Sequence, residues 1–220
     1  FHENWKTWLL SISSGGEQIK YQSAEQAVII EKNSLFYLEK FWKREIKLIS
    51  LLRNRLSMNL KKIERPVIEN VLKSVLEVNP VLFHGKPLVL AEEQKEAVFQ
   101  AINSPLSIVT GGPGTGKTSV ALTILRVHKI LGLAERPALV APTGRAANRL
   151  SESLIKGLNS IKHLGKLKDD VELLKLAADA KTLHRLLGYY PGRHSFSHHE
   201  YDPLEHDLLI IDEGSMIDQE

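Results

Sequence analysis

Eight consecutive residues in the middle of the chain have the types and spacing needed to bind a triphosphate. Gly111, Gly116, Lys117 and Thr118 satisfy the pattern G-x-x-x-x-G-K-[S/T]. Glycines let the backbone turn tightly and present successive N–H groups to phosphate oxygens, while the lysine reaches the outer phosphates and the threonine hydroxyl binds Mg²⁺. The pattern predicts a site for ATP and Mg²⁺ formed by Gly111, Gly112, Pro113, Gly114, Thr115, Gly116, Lys117, Thr118 and Ser119.

Two neighbouring acids, Asp212 and Glu213, end an apolar run about a hundred residues later. Beside a bound nucleotide, the aspartate can hold Mg²⁺ through its water shell, and the glutamate can act as a general base toward the attacking water. We therefore expect Lys117, Asp212 and Glu213 to be catalytic. Thr118 and Asp212 are the expected metal-binding residues.

These residues must be positioned by strands and helices that alternate along the chain. An apolar run at 106–109 predicts a strand before the glycine-rich loop, and apolar spacing over 120–131 predicts a helix after it. Residues 137–143 and 207–211 predict two more strands, and 144–155 a helix between them. The alternation is typical of an α/β fold with a parallel sheet flanked by helices and functional loops at the carboxyl ends of the strands.

Several polar residues near these elements have two interpretations. Gln94, in a predicted amphipathic helix at 90–102, has an amide complementary to the adenine edge, but its type and position alone favour a surface residue of that helix. Thr143 and Arg145 could clamp a nucleic-acid phosphate at a helix N-terminus, or could simply begin that helix. Thr182 is a plausible N-cap.

The first part of the chain predicts a small, mostly helical domain. Residues 26–37 are expected to form a β-hairpin, followed by a helix whose apolar face runs from Leu38 to Ile63 and a shorter helix at 66–78. The long helix has a basic face, which could bind nucleic acid or an acidic partner, or could simply be solvated. Breaks in periodicity place the boundary between an amino-terminal partner-binding domain at 1–85 and an incomplete nucleotide-binding domain at 86–220.

Composition excludes several classes of protein. The chain has 220 residues, a net charge of +3 and no cysteine, which excludes disulfides and fits a cytoplasmic protein. No apolar run is long enough to span a membrane, so no membrane association is expected. Histidines at 194–206 lack the spacing of a metal site. A start at phenylalanine and an end in a motif-rich region suggest a fragment.

Together, these residues resemble the superfamily 1 helicases and, more closely, the RecD family, the alpha subunit of exodeoxyribonuclease V. The resemblance extends over nearly the whole chain. Its most specific segments are 111–118, 141–150, 182–188 and 212–216. One departure is Gly214, where the family usually has alanine.

The resemblance implies a RecA-like domain that uses ATP and Mg²⁺ to drive 5′-to-3′ DNA unwinding in double-strand break repair and recombination. Gln94 matches the family's adenine-reading glutamine. The positions that match contacts to single-stranded DNA are Thr143, Arg145, Thr182 and His184. Residues 35–45 are similar to the family's amino-terminal domain, which implies RecB-like and RecC-like partner subunits.

A second RecA-like domain, which carries the family's arginine finger, is absent from this sequence. Such an arginine contributes ~10³-fold or more in rate. We therefore expect the fragment alone to bind nucleotide weakly and to unwind nothing. Three alternatives stay open: a stand-alone RecD-like helicase, an RNA-directed superfamily 1 helicase, and an assembly module gated by nucleotide.

Overall fold

The computed structural model describes residues 29–32, 35–83, 85–161 and 168–217. The chain forms two compact units, Phe1–Met58 with Asp218–Glu220, and Asn59–Ile217. None of the described helices is long and apolar enough to cross a membrane.

The described part of the smaller unit is a hairpin and one helix. Strands β1 (Ile29–Lys32) and β2 (Leu35–Leu38) pair antiparallel, as expected, and α1 (Glu39–Leu56) follows at once. Residues 26–28 of the expected hairpin, and residues 33 and 34 between its strands, lie outside the described residues. Several apolar side chains of α1 are about half exposed, among them Phe41 at 46% and Leu51 at 51%.

Helix α1 ends at Leu56, although apolar spacing predicted a helix as far as Ile63. Ile63 lies instead in the larger unit, where the side chain of Asn103 bonds both of its backbone groups. The Ile63 N–H donates to Asn103 Oδ1 at 2.8 Å, and Asn103 Nδ2 donates to the Ile63 carbonyl at 3.1 Å. Backbone groups bonded in this way cannot join a helical ladder.

The larger unit alternates helices with short strands. Its elements are α2 (Arg65–Lys73), a π-helical turn (Ser74–Val78), β3 (Leu82–Phe83), β4 (Lys86–Pro87), α3 (Glu92–Asn103), α4 (Lys117–Ile130), β5 (Pro137–Ala141), α5 (Gly144–Asn159), α6 (Lys168–Ala178), β6 (Lys181–Thr182), α7 (Leu183–Leu186), β7 (Tyr189–Tyr190), β8 (Ser195–Phe196), β9 (Leu208–Ile211) and a 3₁₀ turn (Gly214–Met216).

A parallel sheet of order β6-β5-β9 organises this unit, with β5 in the middle. One face packs against α4, α5 and α6 in a core that contains Leu125, Leu139 and Leu154. On the other face, Ala138 and Val140 pack against Leu186 of α7. This arrangement confirms the expected α/β fold with a parallel sheet flanked by helices.

The strand expected before the glycine-rich loop is not formed. Residues 104–116 contain no helix or strand, and Ile108 is 81% exposed. An apolar run forms a strand only beside a partner strand, and among the described residues β9 pairs with β5 alone. The expectation of a strand at 106–109 is therefore wrong for this structure.

Part of the predicted amino-terminal domain belongs to the core of the larger unit. Ile68, Leu72 and Val75 share one core with Val98 of α3 and Val120 of α4. The chain thus divides after Met58, whereas the sequence suggested a boundary after residue 85. The partner-binding role expected for residues 1–85 stays a prediction.

Candidate functional site

The glycine-rich loop forms a tight turn directly before α4. Gly114 and Gly116 have φ angles of 76° and 77°, in the left-handed region that favours glycine. The Thr115 hydroxyl donates to the Gly112 carbonyl at 2.8 Å. A Cβ atom at Gly111 would lie 2.6 Å from Thr115 Oγ1, so a side chain there would displace the Thr115 hydroxyl group. Glycine is therefore favoured at Gly114 and Gly116 by the backbone conformation and at Gly111 by its close approach to Thr115.

Lys117 is the first residue of α4, and its side chain folds back over the loop. Its Nζ donates to the carbonyls of Gly111 at 2.7 Å and Gly112 at 2.9 Å. Thr118 and Ser119 follow in the first turn, both half-buried. The loop, the positive end of the helix and the ammonium group together form a concentrated positive charge of the kind that binds anions.

Gln94 is joined to this loop by its side-chain amide. Nε2 donates to the Thr115 carbonyl at 2.9 Å, while Oε1 accepts from the Ala91 N–H at the start of α3, also at 2.9 Å. The side chain is half-buried and thus links α3 to the loop. An amide has one further N–H and one further lone pair, so this position leaves bonding capacity for a base. The adenine-reading role stays a prediction.

The acid pair follows β9 at the carboxyl end of the sheet. The Asp212 N–H donates to the Val140 carbonyl of β5 at 2.9 Å, and Asp212 Oδ1 accepts from the Glu213 N–H at 3.0 Å. Glu213 has a φ of 53°, which is uncommon for a residue with a side chain. Asp212 is half-buried and Glu213 exposed.

Gly214, the departure from the family pattern, is not required by the backbone. Its φ lies outside the left-handed region, and a Cβ atom there would meet nothing within 4 Å. Alanine would fit at the same position, so the glycine changes no contact of the acid pair.

Two threonine-capped helices begin side by side at the same end of the sheet. Thr143 Oγ1 accepts from the Ala146 N–H of α5, and Thr182 Oγ1 accepts from the Arg185 N–H of α7, both at 3.2 Å. Ala141 and Thr182 are paired across β5 and β6, which makes the two loops neighbours. Arg145 and His184 lie in the first turns of these helices, and both are exposed.

Hydrogen bonds thus sort the predicted site residues into three groups. Gln94 is hydrogen-bonded to the glycine-rich loop, and the Asp212 N–H is hydrogen-bonded to β5. The two threonine caps lie at the carboxyl end of β5 and β6. Within the described part of the chain no hydrogen bond joins Lys117 to Asp212 or Glu213, so their common action on one ligand stays a prediction.

Two features of this unit were missed from the sequence. One is a buried ion pair between Arg126 and Asp170. The other is a cluster of aromatic rings around His184, formed by Tyr189 and Phe196 of the β7–β8 hairpin. The Pro191-Gly192 pair between two β-prone segments was a signal for that hairpin.

Comparison with protein families finds a match to the AAA domain over residues 94–220. This segment contains the glycine-rich loop, the threonine-capped helices α5 and α7, and the acid pair Asp212 and Glu213. It begins at Gln94.

Comparison with individual proteins finds several relatives. The chain is 42% identical over 127 residues to "RecBCD enzyme subunit RecD" of Haemophilus influenzae, covering 57% of this chain and 20% of the relative. It is 38% identical over 128 residues to "ATP-dependent RecD2 DNA helicase" of Deinococcus radiodurans, covering 58% of this chain and 14% of the relative. A third match, "RecBCD enzyme subunit RecD" of Buchnera aphidicola from Acyrthosiphon pisum, is 29% identical over 219 residues, covering 98% of this chain and 32% of the relative.

The chain therefore spans less than a third of the length of these relatives. The expected resemblance to RecD subunits is confirmed by these matches.

Proposed function

We propose, since the chain belongs to the AAA domain family, that the full-length protein is an ATP-dependent DNA helicase. We further propose that it acts in the 5′-to-3′ direction as a subunit of a RecBCD-type exodeoxyribonuclease V complex in double-strand break repair and recombination. Its expected location is the cytoplasm. The relatives named RecD support the subunit assignment.

One observation carries the proposal: the Lys117 ammonium lies over the carbonyls of Gly111 and Gly112 at the start of α4. A lysine in this position can exchange loop carbonyls for phosphate oxygens by a small rotation of its side chain. The loop also offers the backbone N–H groups of a glycine-rich turn directly before the first turn of α4. These donors fit the phosphates of ATP.

Each residue of the site has a proposed role in hydrolysis. Lys117 and the loop N–H groups bind the phosphates, and Gln94 orients the adenine. Thr118 and Asp212 supply the oxygen ligands that Mg²⁺ prefers, and the ion would neutralise charge on the phosphates. Glu213 accepts the proton of the water that attacks the terminal phosphorus, with ADP as the leaving group.

The proposed nucleic-acid surface is the edge that carries the two capped helices. Thr143 and Thr182 cap the first turns of α5 and α7, and Arg145 and His184 add a cation and a ring next to them. Contacts from helix N-termini, hydroxyls and guanidinium groups are those that commonly bind nucleic-acid phosphates. Single-stranded DNA is the proposed ligand.

The proposed partners are RecB-like and RecC-like subunits. Half-exposed apolar side chains on α1, such as Phe41 and Leu51, support a protein contact for this helix.

The proposal is tested by Lys117→Ala in the full-length protein, with Lys156→Ala, an exposed lysine of α5, as a matched control. We expect Lys117→Ala to abolish ATP hydrolysis stimulated by single-stranded DNA and to abolish unwinding of a duplex with a 5′ overhang. The control should keep both activities. Unwinding that persists in Lys117→Ala would contradict the proposal.

A stand-alone helicase is the second candidate, favoured by the 38% identity to the Deinococcus radiodurans RecD2 helicase. The two candidates differ in their need for partners. Comparison of unwinding by the purified full-length protein with and without RecB-like and RecC-like subunits separates them, because a subunit gains activity on assembly and a stand-alone helicase does not.

A further inference from the structure

The rings of His184, Tyr189 and Phe196 form a cluster at α7, the helix capped by Thr182. The His184 ring centroid lies 5.1 Å from that of Tyr189, in an edge-to-face arrangement with an interplanar angle of 89°, and 5.8 Å from that of Phe196. The Tyr189 and Phe196 centroids are 5.2 Å apart. Edge-to-face contacts at these separations are favourable and directional. The imidazole ring is thus held on two sides.

The hairpin that supplies two of the rings is fixed to the end of α7 by its backbone. The Ser197 N–H donates to the Gly188 carbonyl at 2.9 Å, and the His198 N–H donates to the Leu187 carbonyl at 3.1 Å. Gly188 has a φ of 66°, and a Cβ atom there would lie 2.7 Å from Ser197 Oγ. The hairpin therefore packs against the helix end as a defined support.

His184 is exposed, whereas Tyr189 and Phe196 are half-buried. The histidine therefore presents its free side outward from the cluster, next to the Thr182 cap. A ring in this setting can stack on a base of an unpaired strand, as aromatic residues commonly do.

We infer that Tyr189 and Phe196 are positioning residues, which hold the imidazole ring of His184 in the orientation that contacts a single-stranded polynucleotide. The inference rests on the proposed function, because it takes His184 to be a nucleic-acid contact. On this inference, the function of the β7–β8 hairpin is to orient the side chain of His184. The hairpin restricts the rotation of one side chain before the ligand arrives, and a preorganised side chain loses less freedom on binding.

A purely structural role is the competing explanation, because Tyr189 and Phe196 are also paired across the hairpin strands. Such a pair stabilises a hairpin whatever the neighbouring histidine does. The two explanations differ in whether the effect of the rings depends on His184. A double-mutant cycle measures that dependence.

The test uses the full-length protein and a fluorescein-labelled oligodeoxythymidine, with the dissociation constant measured by fluorescence anisotropy. Tyr189→Leu and Phe196→Leu keep an apolar side chain in the hairpin but remove the ring. We expect each to weaken binding about 3- to 10-fold. In a His184→Ala background, we expect the same substitutions to cause no further loss.

Two controls accompany the cycle. Tyr189→Phe keeps the ring and loses only the hydroxyl contact to His194 Nδ1, at 3.1 Å, so binding should stay near that of the wild type. Tyr190→Leu changes the neighbouring tyrosine, which is 59% exposed and outside the cluster, and should also bind normally. The KM for ATP should be unchanged in all variants. The leucine variants lose the stabilising cross-strand ring pair, so their melting temperature should fall slightly, and binding is therefore measured well below the melting temperature of each variant.

The outcomes separate the inference from the proposed function. If His184→Ala binds as tightly as the wild type, the nucleic-acid contact itself is wrong, and the inference is overturned with it. If His184→Ala weakens binding while both leucine variants bind normally, only the positioning role is overturned. Equal losses from the leucine variants with and without His184 also overturn it, because the rings then act independently of the histidine.

Discussion

The guanidinium group of Arg126 forms a two-pronged ion pair with the carboxylate of Asp170, with Nε 2.9 Å from Oδ1 and Nη2 3.2 Å from Oδ2. Its third nitrogen donates to the Val75 carbonyl at 3.2 Å. Both side chains are almost completely buried. The pair joins the helix that carries Lys117 to α6 and to the π-helical turn after α2.

Loss of one partner of this pair should strongly destabilise the protein. Asp170→Asn leaves the buried Arg126 charge uncompensated, and such changes cost about 3–5 kcal/mol. The measurement is the free energy of unfolding in urea. Asp179→Asn is the matched control, since Asp179 pairs with Lys181 in an exposed position and its loss should cost less than about 1 kcal/mol. Equal losses of unfolding free energy in the two variants would contradict the expectation that the buried pair contributes more to stability than the exposed one.

Loss of the Gln94 side chain should weaken ATP binding through the glycine-rich loop, whether or not Gln94 also contacts adenine. Gln94→Ala removes the bond to the Thr115 carbonyl, and one such bond is worth about 1 kcal/mol, so the KM for ATP should rise roughly 5-fold. Gln100→Ala, an exposed position on the same helix, is the control. The account of Gln94 fails if both variants have the KM of the wild type.

Acid should destabilise the larger unit in two separate pH ranges. Burial lowers the pKa of His128, although the bond from Nδ1 to the Ile124 carbonyl and the charge of Asp207 oppose the shift. As the pH falls, the unfolded chain therefore binds a proton at His128 at a higher pH than the folded chain does. Protonation then favours the unfolded state, so the free energy of unfolding decreases as the pH drops below about 6.5.

The second pH range in which acid destabilises the unit results from protonation of the Asp207 carboxyl group. Partial desolvation raises the pKa of its carboxyl group, but hydrogen bonds from the backbone N–H groups of Arg136 and Glu135 outweigh this effect and lower it. A carboxyl group with a lowered pKa stabilises the fold above about pH 4, and this stability is lost as the pH falls further.

Asp207→Asn tests this second range. It should reduce the free energy of unfolding at pH 7 by less than about 1 kcal/mol, because the side chain is exposed and its charge is screened by solvent, and it should flatten the loss of stability below about pH 4. Glu205→Gln, which breaks only an exposed ion pair with Arg136, should leave the profile unchanged. Urea unfolding measured from pH 3 to pH 7 gives both curves, and a profile for Asp207→Asn that parallels the wild type would contradict the assignment.

The helices and the buried strands could be predicted from the sequence because local chemistry determines them. The period of apolar residues marked α4 and α5, and the threonine caps at 143 and 182 mark the starts of α5 and α7. The continuous apolar run at 137–141 marked β5, which is buried on both faces of the sheet. These features depend on residues close together in the chain.

Other features could not be predicted because they depend on partners distant in sequence. Ile63 lies outside α1 and is bonded to Asn103, 40 positions away in the sequence, and residues 106–109 pair with no strand among those that the structure describes. The pairing of Arg126 with Asp170 joins residues 44 positions apart. Neither apolar period nor residue type carries this information.

The most direct test of the central claim is ATP hydrolysis by Glu213→Gln in the full-length protein, measured at steady state with single-stranded DNA present. The substitution keeps the shape of the side chain but removes the base, so we expect the rate to fall about 10²- to 10⁴-fold while ATP binding persists. Glu200→Gln, the same change at an exposed position of the same unit, should hydrolyse ATP normally. Wild-type hydrolysis by Glu213→Gln would contradict the claim that this acid pair and the phosphate loop act on one nucleotide.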